Sequence, residues 1–549
     1  VIWRISDPEG DEAAKVKFEI VQYTRGLGLD IGCGPHKAFP HFIGVDSKKD
    51  TALFGIQMEV DNVVEDAAQL PQVPDGKLDF VFSSHLLEHI ADYKAALAEW
   101  WRIIKLGGHL VLYLPHRDLY PRIGQPGANP DHKHDFVAGD IIDAMAVVAC
   151  NSGSGYQIIM DEVRSERTEY SFLLVLQKID GNQWGDIEDS EEGHPAYRPA
   201  PAKTVCISRF GGFGDMLMAS ALLPELKAQG YHITVNTTPG GQDILLHDPH
   251  IDDWLIVDPD QVPNHQLPLF WEAIARRYSK FIQLSESIEG TLLAMPGRAN
   301  HAWPHAVRHM ELNRNYLEWC AELAELPYRS DAKFYPSLHE QAKMAGYLTG
   351  IRLARAPKDL MIGVPTPDVF YIVWALAGSS MHKFYPHMDA VIARVLLELP
   401  EAAVILTGDM ACQILEAGWE LEPRVVRESG KQSIRETLTL ATMADCVVGP
   451  ETGVLNAVAF EPKVTKVVLL SHSSVENLSK HWLATTSLAA PFNPANTVCH
   501  DQACHRLHYG SKFCVEDAAT GASSCQSNIA PSRVFDAIQA AYAAWKEAP

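Results

Sequence analysis

One stretch constrains the fold more than any other: Ser208-Arg209-Phe210-Gly211-Gly212-Phe213-Gly214-Asp215. The apolar run before it, Thr204-Val205-Cys206-Ile207, reads as a buried strand, and residues 219–227 after it carry leucines at helical spacing. Three glycines between a strand and a helix let the backbone turn tightly and approach a ligand, with free N–H groups of the helix start facing it. Glycines at such a joint also serve packing alone. The added information is Asp215, a carboxylate at the mouth of the turn, where ligands of open α/β sheets collect.

The same grammar recurs along the chain. Residues 24–34 run as a short strand into Gly32-Cys33-Gly34, and Phe42-Ile43-Gly44-Val45-Asp46 gives a second strand closed by an acid suited to ribose hydroxyls. Lys77–Phe82 ends at Ser83-Ser84, a helix is expected over Leu86-Leu87-Glu88-His89-Ile90, and residues 107–113 supply another strand. At 549 residues the chain needs three or four cores, taking about 150 residues per domain. Alternating strands and helices indicate α/β units with mostly parallel sheets.

Charge narrows the partners. A net charge of -23 disfavours a general binder of nucleic acid or anionic membrane. No stretch approaches the roughly 18 apolar residues of a membrane span, and residues 1–17 lack the apolar core of a secretory signal. Scattered cysteines in apolar surroundings fit a reducing compartment, so a cytoplasmic location is expected.

Residues 25–125 resemble a class I S-adenosylmethionine-dependent methyltransferase of the small-molecule and lipid type, on the motifs just given and on Leu87-Glu88-His89-Ile90 and Gly107-Gly108. The resemblance implies a cofactor site of Asp30, Gly32, Gly34, Asp46, Asp66 and Ser84. In it Gly32 and Gly34 approach the methionine part, Asp46 holds the ribose and Asp66 faces the adenine amino group. A base is needed if the acceptor is a hydroxyl. Candidates are His85, His116, His132 and His134, each of which also reads as a structural or solvated histidine. His89 reads as a packing residue, and the i, i+2 pair His132/His134 suits a strand and lacks an obvious further metal ligand.

Residues 169–179 read as the closing strand of this domain (1–180), and the acidic, proline-containing stretch 181–202 as an extended linker. From Lys203 a second α/β unit runs to about residue 350, and a further one starts with residues 369–375 and continues through 403–408 and 446–453. Two such units in series enclose a cleft. Residues 203–482 resemble the ADP-heptose heptosyltransferases of glycosyltransferase family 9, which have the GT-B fold. The matching pieces are Gly211–Asp215, Gly378-Ser379-Ser380 with Lys383, Gly408-Asp409, and Glu451-Thr452-Gly453 opening a helix. By that resemblance 203–350 is the acceptor lobe and 351–549 the donor lobe. Asp215 is then the general base, and Ser379, Ser380, Lys383 and the N–H groups of Thr452 and Gly453 face the departing diphosphate. Gly408, Glu451 and Asn456 complete the donor site, with Glu451 near the donor sugar or ribose. Many relatives carry Asp-x-Gly-x-x-His where this chain has Glu451-Thr452-Gly453-Val454-Leu455-Asn456, which leaves the sugar and the nucleotide open.

After Trp482 the sequence changes character. Cys499, Cys504, Cys514 and Cys525 lie within 27 positions with His500, His505 and His508 interleaved, inviting a structural zinc or iron site. Two disulfides or free thiols are the alternatives, because the spacing is not paired C-x-x-C. Residues 532–546 read as a last helix that braces the two lobes. The expected fold class is thus α/β with three Rossmann-like units: one methyltransferase fold and a two-lobed GT-B fold. The expected function is bifunctional. It combines inverting transfer of a heptose-like sugar from a nucleotide-diphosphate donor to a glycan, glycoprotein or small molecule with S-adenosylmethionine-dependent methylation. The alternatives are an active glycosyltransferase with a non-catalytic methyltransferase-like module, or a glycosyltransferase acting on nucleic-acid bases. The oligomeric state is left open.

Overall fold

A computed structural model describes residues 11–47, 60–166, 168–182, 203–285, 292–329, 331–355, 368–378, 383–491, 503–507 and 514–547. Most of the expected linker therefore lies outside the described residues, as do Ser379, Ser380, Cys499, His500 and His508. The chain forms two compact units, one of 1–202 with 255–279 and one of 203–254 with 280–549.

Unit 1 is built on a seven-stranded sheet in the order β3-β2-β1-β4-β5-β7-β6. Its strands are β1 (Gly28–Ile31), β2 (Ile43–Asp46), β3 (Asn62–Val63), β4 (Leu78–Ser84), β5 (Ile104–Pro115), β6 (Ser154–Arg164) and β7 (Ser171–Asp180). The pairs from β3 to β5 are parallel, and β7 joins β5 antiparallel, with β6 beside it. Strand β1 is buried at every position, as a central parallel strand must be. The helices Tyr93–Ile103 and Ala138–Ser152 cover the sheet with Leu97, Trp100, Ile141 and Met145. The expected helix at residues 86–90 is only a 3-10 turn, Leu87–His89. Strand β6 completes a hairpin that the sequence reading did not contain.

Segment 255–279, taken in sequence with 203–350, packs in unit 1. Asp258 accepts from the Arg25 guanidinium at 3.0 Å, and Gln261 Nε2 donates to the Val21 carbonyl at 2.7 Å. The Phe270 ring, on the helix Leu267–Ala275, lies 6.1 Å from Phe18.

Unit 2 holds two sheets. The four-stranded one has the order β10-β9-β8-β11, with β8 (Thr204–Ser208), β9 (His232–Thr237), β10 (Asp253–Ile256) and β11 (Lys280–Gln283). The six-stranded one, all parallel, has the order β14-β13-β12-β15-β16-β17. Its strands are β12 (Phe370–Ala375), β13 (Ala402–Thr407), β14 (Val425–Arg427), β15 (Cys446–Pro450), β16 (Thr465–Leu469) and β17 (Thr485–Leu488). The helix after β8 starts at Phe213 and stops at Ser220; a second one, Leu223–Ala228, follows with Pro224 in its first turn, where a missing N–H costs nothing. The last helix, Pro531–Glu547, buries Val534, Phe535, Ile538 and Ala541 in the core of the β12–β17 lobe, and so belongs to that lobe rather than tying both together.

Three parallel-dominant sheets thus give the mixed α/β class. Among the parallel strands of each, strand order reverses at one place: between β1 and β4, between β8 and β11, and between β12 and β15. Chains leaving neighbouring strands in opposite directions open a crevice there, and ligands of such sheets bind in it.

Candidate functional site

The first crevice collects the residues expected to hold a cofactor. Gly32 has φ +80°, and a Cβ there would meet Leu86 Cδ2 at 2.8 Å, so both backbone and space demand glycine. The N–H of Gly34 donates to Asp46 Oδ2 at 3.1 Å, which fixes the acid at the tip of β2 beside the loop after β1. Asp46 Oδ1 accepts from the Ser47 N–H at 2.7 Å. Asp66 caps its own turn, accepting from the Ala68 N–H at 2.9 Å. Ser84 closes β4, and its hydroxyl is buried with no hydrogen-bond partner among the described residues. Asp30 has a different role. It is buried beneath the loop, accepts from the Ala38 N–H at 2.9 Å, and burial pushes its carboxyl up to about 7.

Next to Ser84 lies a group that sequence reasoning left scattered. His85 takes a left-handed backbone (φ 49°), rare for a side chain of its size. The Glu88 carbonyl oxygen accepts from the N–H groups of Lys133 (2.7 Å) and His134 (3.2 Å), which ties the 130s loop to the turn. As a result Glu88, His89 and His132 present ligand atoms that all lie within 4.8 Å of one another. Glu88 Oε1 is 3.8 Å from His89 Nε2, 3.9 Å from His132 Nε2 and 4.0 Å from His85 Nδ1. Both Glu88 oxygens are buried and neither has a hydrogen-bond partner among the described residues. Burial raises the Glu88 carboxyl to about 8 and lowers all three imidazoles, His85 to about 3. His89 is thus no mere packing residue, while His134 points elsewhere, with Nε2 3.1 Å from the Ile90 carbonyl. A small groove beside the cluster is lined by Pro115, His116, Arg117, Tyr120, His132, His134 and Asp135.

In unit 2 the glycine turn after β8 is held from within. Arg209 is fully buried, and its Nη2 lies 2.9 Å from Asp215 Oδ1. Asp215 Oδ2 accepts from the Gly212 N–H at 2.7 Å, so the acid caps the helix Phe213–Ser220. A Cβ on Gly211 would fall 2.8 Å from Asp215 Cβ. The other lobe meets this turn directly. A Cβ on Gly214 would fall 2.8 Å from Asn456 Nδ2, and one on Gly453 would fall 2.8 Å from Phe213 Cβ. Two helix starts therefore approach each other through paired glycines.

Of the residues expected on the donor side, Lys383, Glu451, Thr452, Gly453 and Asn456 follow β12 or β15. Lys383 is buried, donates to the Glu451 carbonyl at 2.8 Å, and lies across Gly378, where a Cβ would meet its Cδ at 2.7 Å. Burial lowers its pKa, and the charges of Glu451 and Asp215 act in the opposite direction. Glu451 is committed to structure: Oε1 accepts from the Ser471 N–H (2.7 Å) and the Ser473 N–H (3.1 Å), and Oε2 from the Ser471 hydroxyl (2.6 Å). Thr452 has a buried hydroxyl with no partner among the described residues, and Asn456 Nδ2 donates back to the Thr452 carbonyl at 2.9 Å. Gly408 follows the end of β13, where a Cβ would meet Cys412 Cβ at 2.5 Å. Arg209 was missed in sequence because nothing in a glycine turn marks a guanidinium as buried.

The cysteine segment departs from expectation. Cys504, Cys514 and Cys525 are near enough for the first two to raise the thiol pKa of Cys525, and none of the three is in a disulfide. Among the described residues, however, the group arranged to hold a metal is Glu88, His89 and His132, not the cysteines. Cys499 lies outside the described residues.

The family described as "Methyltransferase domain" matches residues 29–112, within unit 1. No curated protein matches the chain. Among solved structures, the Escherichia coli ADP-heptose lipopolysaccharide heptosyltransferase II is 16% identical, covering 63% of this chain and all of its own, with a TM-score of 0.41. A family 9 glycosyl transferase from Veillonella parvula is 12% identical, covering 63% of this chain and 98% of its own, with a TM-score of 0.43. The YcgJ protein from Bacillus subtilis is 15% identical and covers 31% of this chain and 97% of its own, with a TM-score of 0.22. No helix among the described residues is long and apolar enough to cross a membrane.

Proposed function

We propose that the chain joins two transferases: S-adenosylmethionine-dependent methyl transfer in unit 1, and inverting transfer of a heptose-like sugar from a nucleotide-diphosphate donor in unit 2. The observation that carries this reading is the coincidence of chemistry with topology. Residues suited to each ligand converge at the strand-order reversals, where α/β sheets bind ligands.

In unit 1 the residues fit the cofactor. Glycine permits close approach at Gly32, Gly34 holds Asp46 at the tip of β2 as a ribose contact would need, and the Ser84 hydroxyl lacks a partner among the described residues. The bound cofactor supplies an electrophilic methyl on a sulfonium. The chain's part is to orient it and exclude water.

In unit 2, Lys383 and the first N–H groups of the helix Gly453–Val458 supply positive potential for a departing diphosphate. Asp215 is the base for the acceptor hydroxyl, with Arg209 holding the carboxylate in place. Glu451 shapes the β15 turn through Ser471 and Ser473 and so positions Lys383.

The test is calorimetric titration of the full chain with S-adenosylhomocysteine and with a panel of nucleotide diphosphates. Asp46→Ala is expected to remove the first and Lys383→Met the second. Binding of neither ligand class by the unaltered protein contradicts the reading.

A further inference from the structure

Glu88 presents the least satisfied chemistry among the described residues. A carboxylate removed from water costs several kcal/mol unless it is paired, hydrogen-bonded or bound to a cation. Both Glu88 oxygens are buried without a hydrogen-bond partner among the described residues, yet three imidazole nitrogens stand 3.8, 3.9 and 4.0 Å from Oε1. These separations are too long for hydrogen bonds. They are close to the spacing of neighbouring donors around one ion: bonds of about 2.0–2.1 Å in a tetrahedral shell set donors roughly 3.3 Å apart. The ligand atoms of Glu88, His89 and His132 all lie within 4.8 Å of one another, so a closing movement on the order of an ångström would bring them to that spacing.

The outer contacts point the same way. A metal-bound imidazole usually donates its second N–H to a carbonyl, carboxylate or hydroxyl, which fixes the ring. His85 Nε2 lies 2.9 Å from Ser171 Oγ, leaving Nδ1 toward Glu88. His89 turns Nε2 toward Glu88 Oε1 at 3.8 Å. His132 packs against the Tyr120 ring at 5.3 Å and edge-on to His89 at 4.8 Å.

We infer that Glu88, His89 and His132 form a three-donor binding site, with a fourth position open to an outside ligand, for a divalent first-row transition-metal ion of the zinc class. Nitrogen and carboxylate donors of this kind suit such an ion better than magnesium or calcium, which take oxygen. His132 belongs both to this set and to the neighbouring groove, so an oxygen ligand entering the groove has a route to the ion. An acceptor hydroxyl reaching it loses its proton more easily. That consequence, unlike the site itself, rests on the methyltransferase reading, and it names an alcohol or phenol as the acceptor class.

The test uses the full chain, stripped with chelator and titrated with Co2+. Visible d–d bands from nitrogen and oxygen ligands report this site, and thiolate charge-transfer bands report any ion on the cysteines. Glu88→Gln and His132→Asn are expected to lose one such ion per chain, or to weaken it by roughly tenfold or more. Cys504→Ser with Cys525→Ser is expected to leave those bands unchanged. Circular dichroism and S-adenosylhomocysteine titration accompany each variant. Loss of S-adenosylhomocysteine binding in the unaltered protein, with the bands intact, ends the methyltransferase reading and leaves the metal site standing. No nitrogen/oxygen-type ion in the unaltered protein, or equal uptake by Glu88→Gln and His132→Asn, overturns the site. Catechol is the oxygen probe: a shift of the bands supports an open position, and its absence overturns the acceptor class.

Discussion

Asp215 Oδ1 lies 2.9 Å from Nη2 of the fully buried Arg209, and its second oxygen accepts the Gly212 N–H at 2.7 Å. One carboxylate therefore serves as counter-charge, helix cap and proposed base. Asp215→Asn keeps the shape but removes a carboxylate charge 2.9 Å from a buried guanidinium. It is expected to abolish sugar transfer and also to cost about 1–3 kcal/mol of stability, less than a wholly buried pair because Asp215 is partly exposed. Urea unfolding read beside activity separates the effects: lost activity with an unchanged midpoint would remove the structural half of this account.

Gly214→Ala places a methyl 2.8 Å from Asn456 Nδ2, at the point where two helix starts meet. Overpacking of this kind is expected to cost about 1–3 kcal/mol. Asn456→Ala should recover part of it, so the double variant is less destabilised than the sum. Additive losses in thermal unfolding would mean that the two residues do not meet.

Asp46→Ala removes the acid that Gly34 holds at the tip of β2. S-adenosylhomocysteine affinity is expected to fall by about 1.5–3 kcal/mol, the worth of a hydrogen bond to a charged group. Unfolding should change little, because the Asp46 carboxylate is bonded only to exposed or half-buried loop groups. Isothermal titration and a melting curve on one preparation check both statements.

Burial raises the Asp30 carboxyl to about 7 in the folded protein. The unfolded chain titrates near the ordinary value of about 3.9, so between the two the folded state binds the extra proton. Stability from this group is complete below about pH 4 and declines as pH rises through about 7, by at most about 1.4 kcal/mol per pH unit. Asp30→Asn is expected to flatten that decline. Urea midpoints from pH 5 to 8 for both proteins measure it, and parallel curves would show that Asp30 does not carry the proton.

Much of the fold was legible because it rests on local pattern. The run 204–207 lies inside β8, residues 231–237 contain β9, and the turns at Gly211–Asp215 and Glu451–Gly453 both open helices as read. Side-chain roles were less legible. Glu451 was read as a donor contact, but its oxygens are occupied by Ser471 and Ser473, twenty or more positions away. Glu88 and His132 are 44 positions apart and meet only because the loop after β5 returns to the turn after β4. The available signal was Glu88 itself, an acid between Leu87 and Ile90 in a turn that had to be buried. Lys383 lies across Gly378 and donates to the Glu451 carbonyl, a contact between residues 68 positions apart that no local pattern announces.

The most direct test of the central claim is to titrate one preparation of the full chain with S-adenosylhomocysteine and with nucleotide diphosphates, alongside Asp46→Ala and Lys383→Met. The account predicts two independent binding events: Asp46→Ala loses only the S-adenosylhomocysteine event, and Lys383→Met loses only the nucleotide event. A single event, or both lost together in either variant while the fold persists, would contradict a chain of two separate transferase sites.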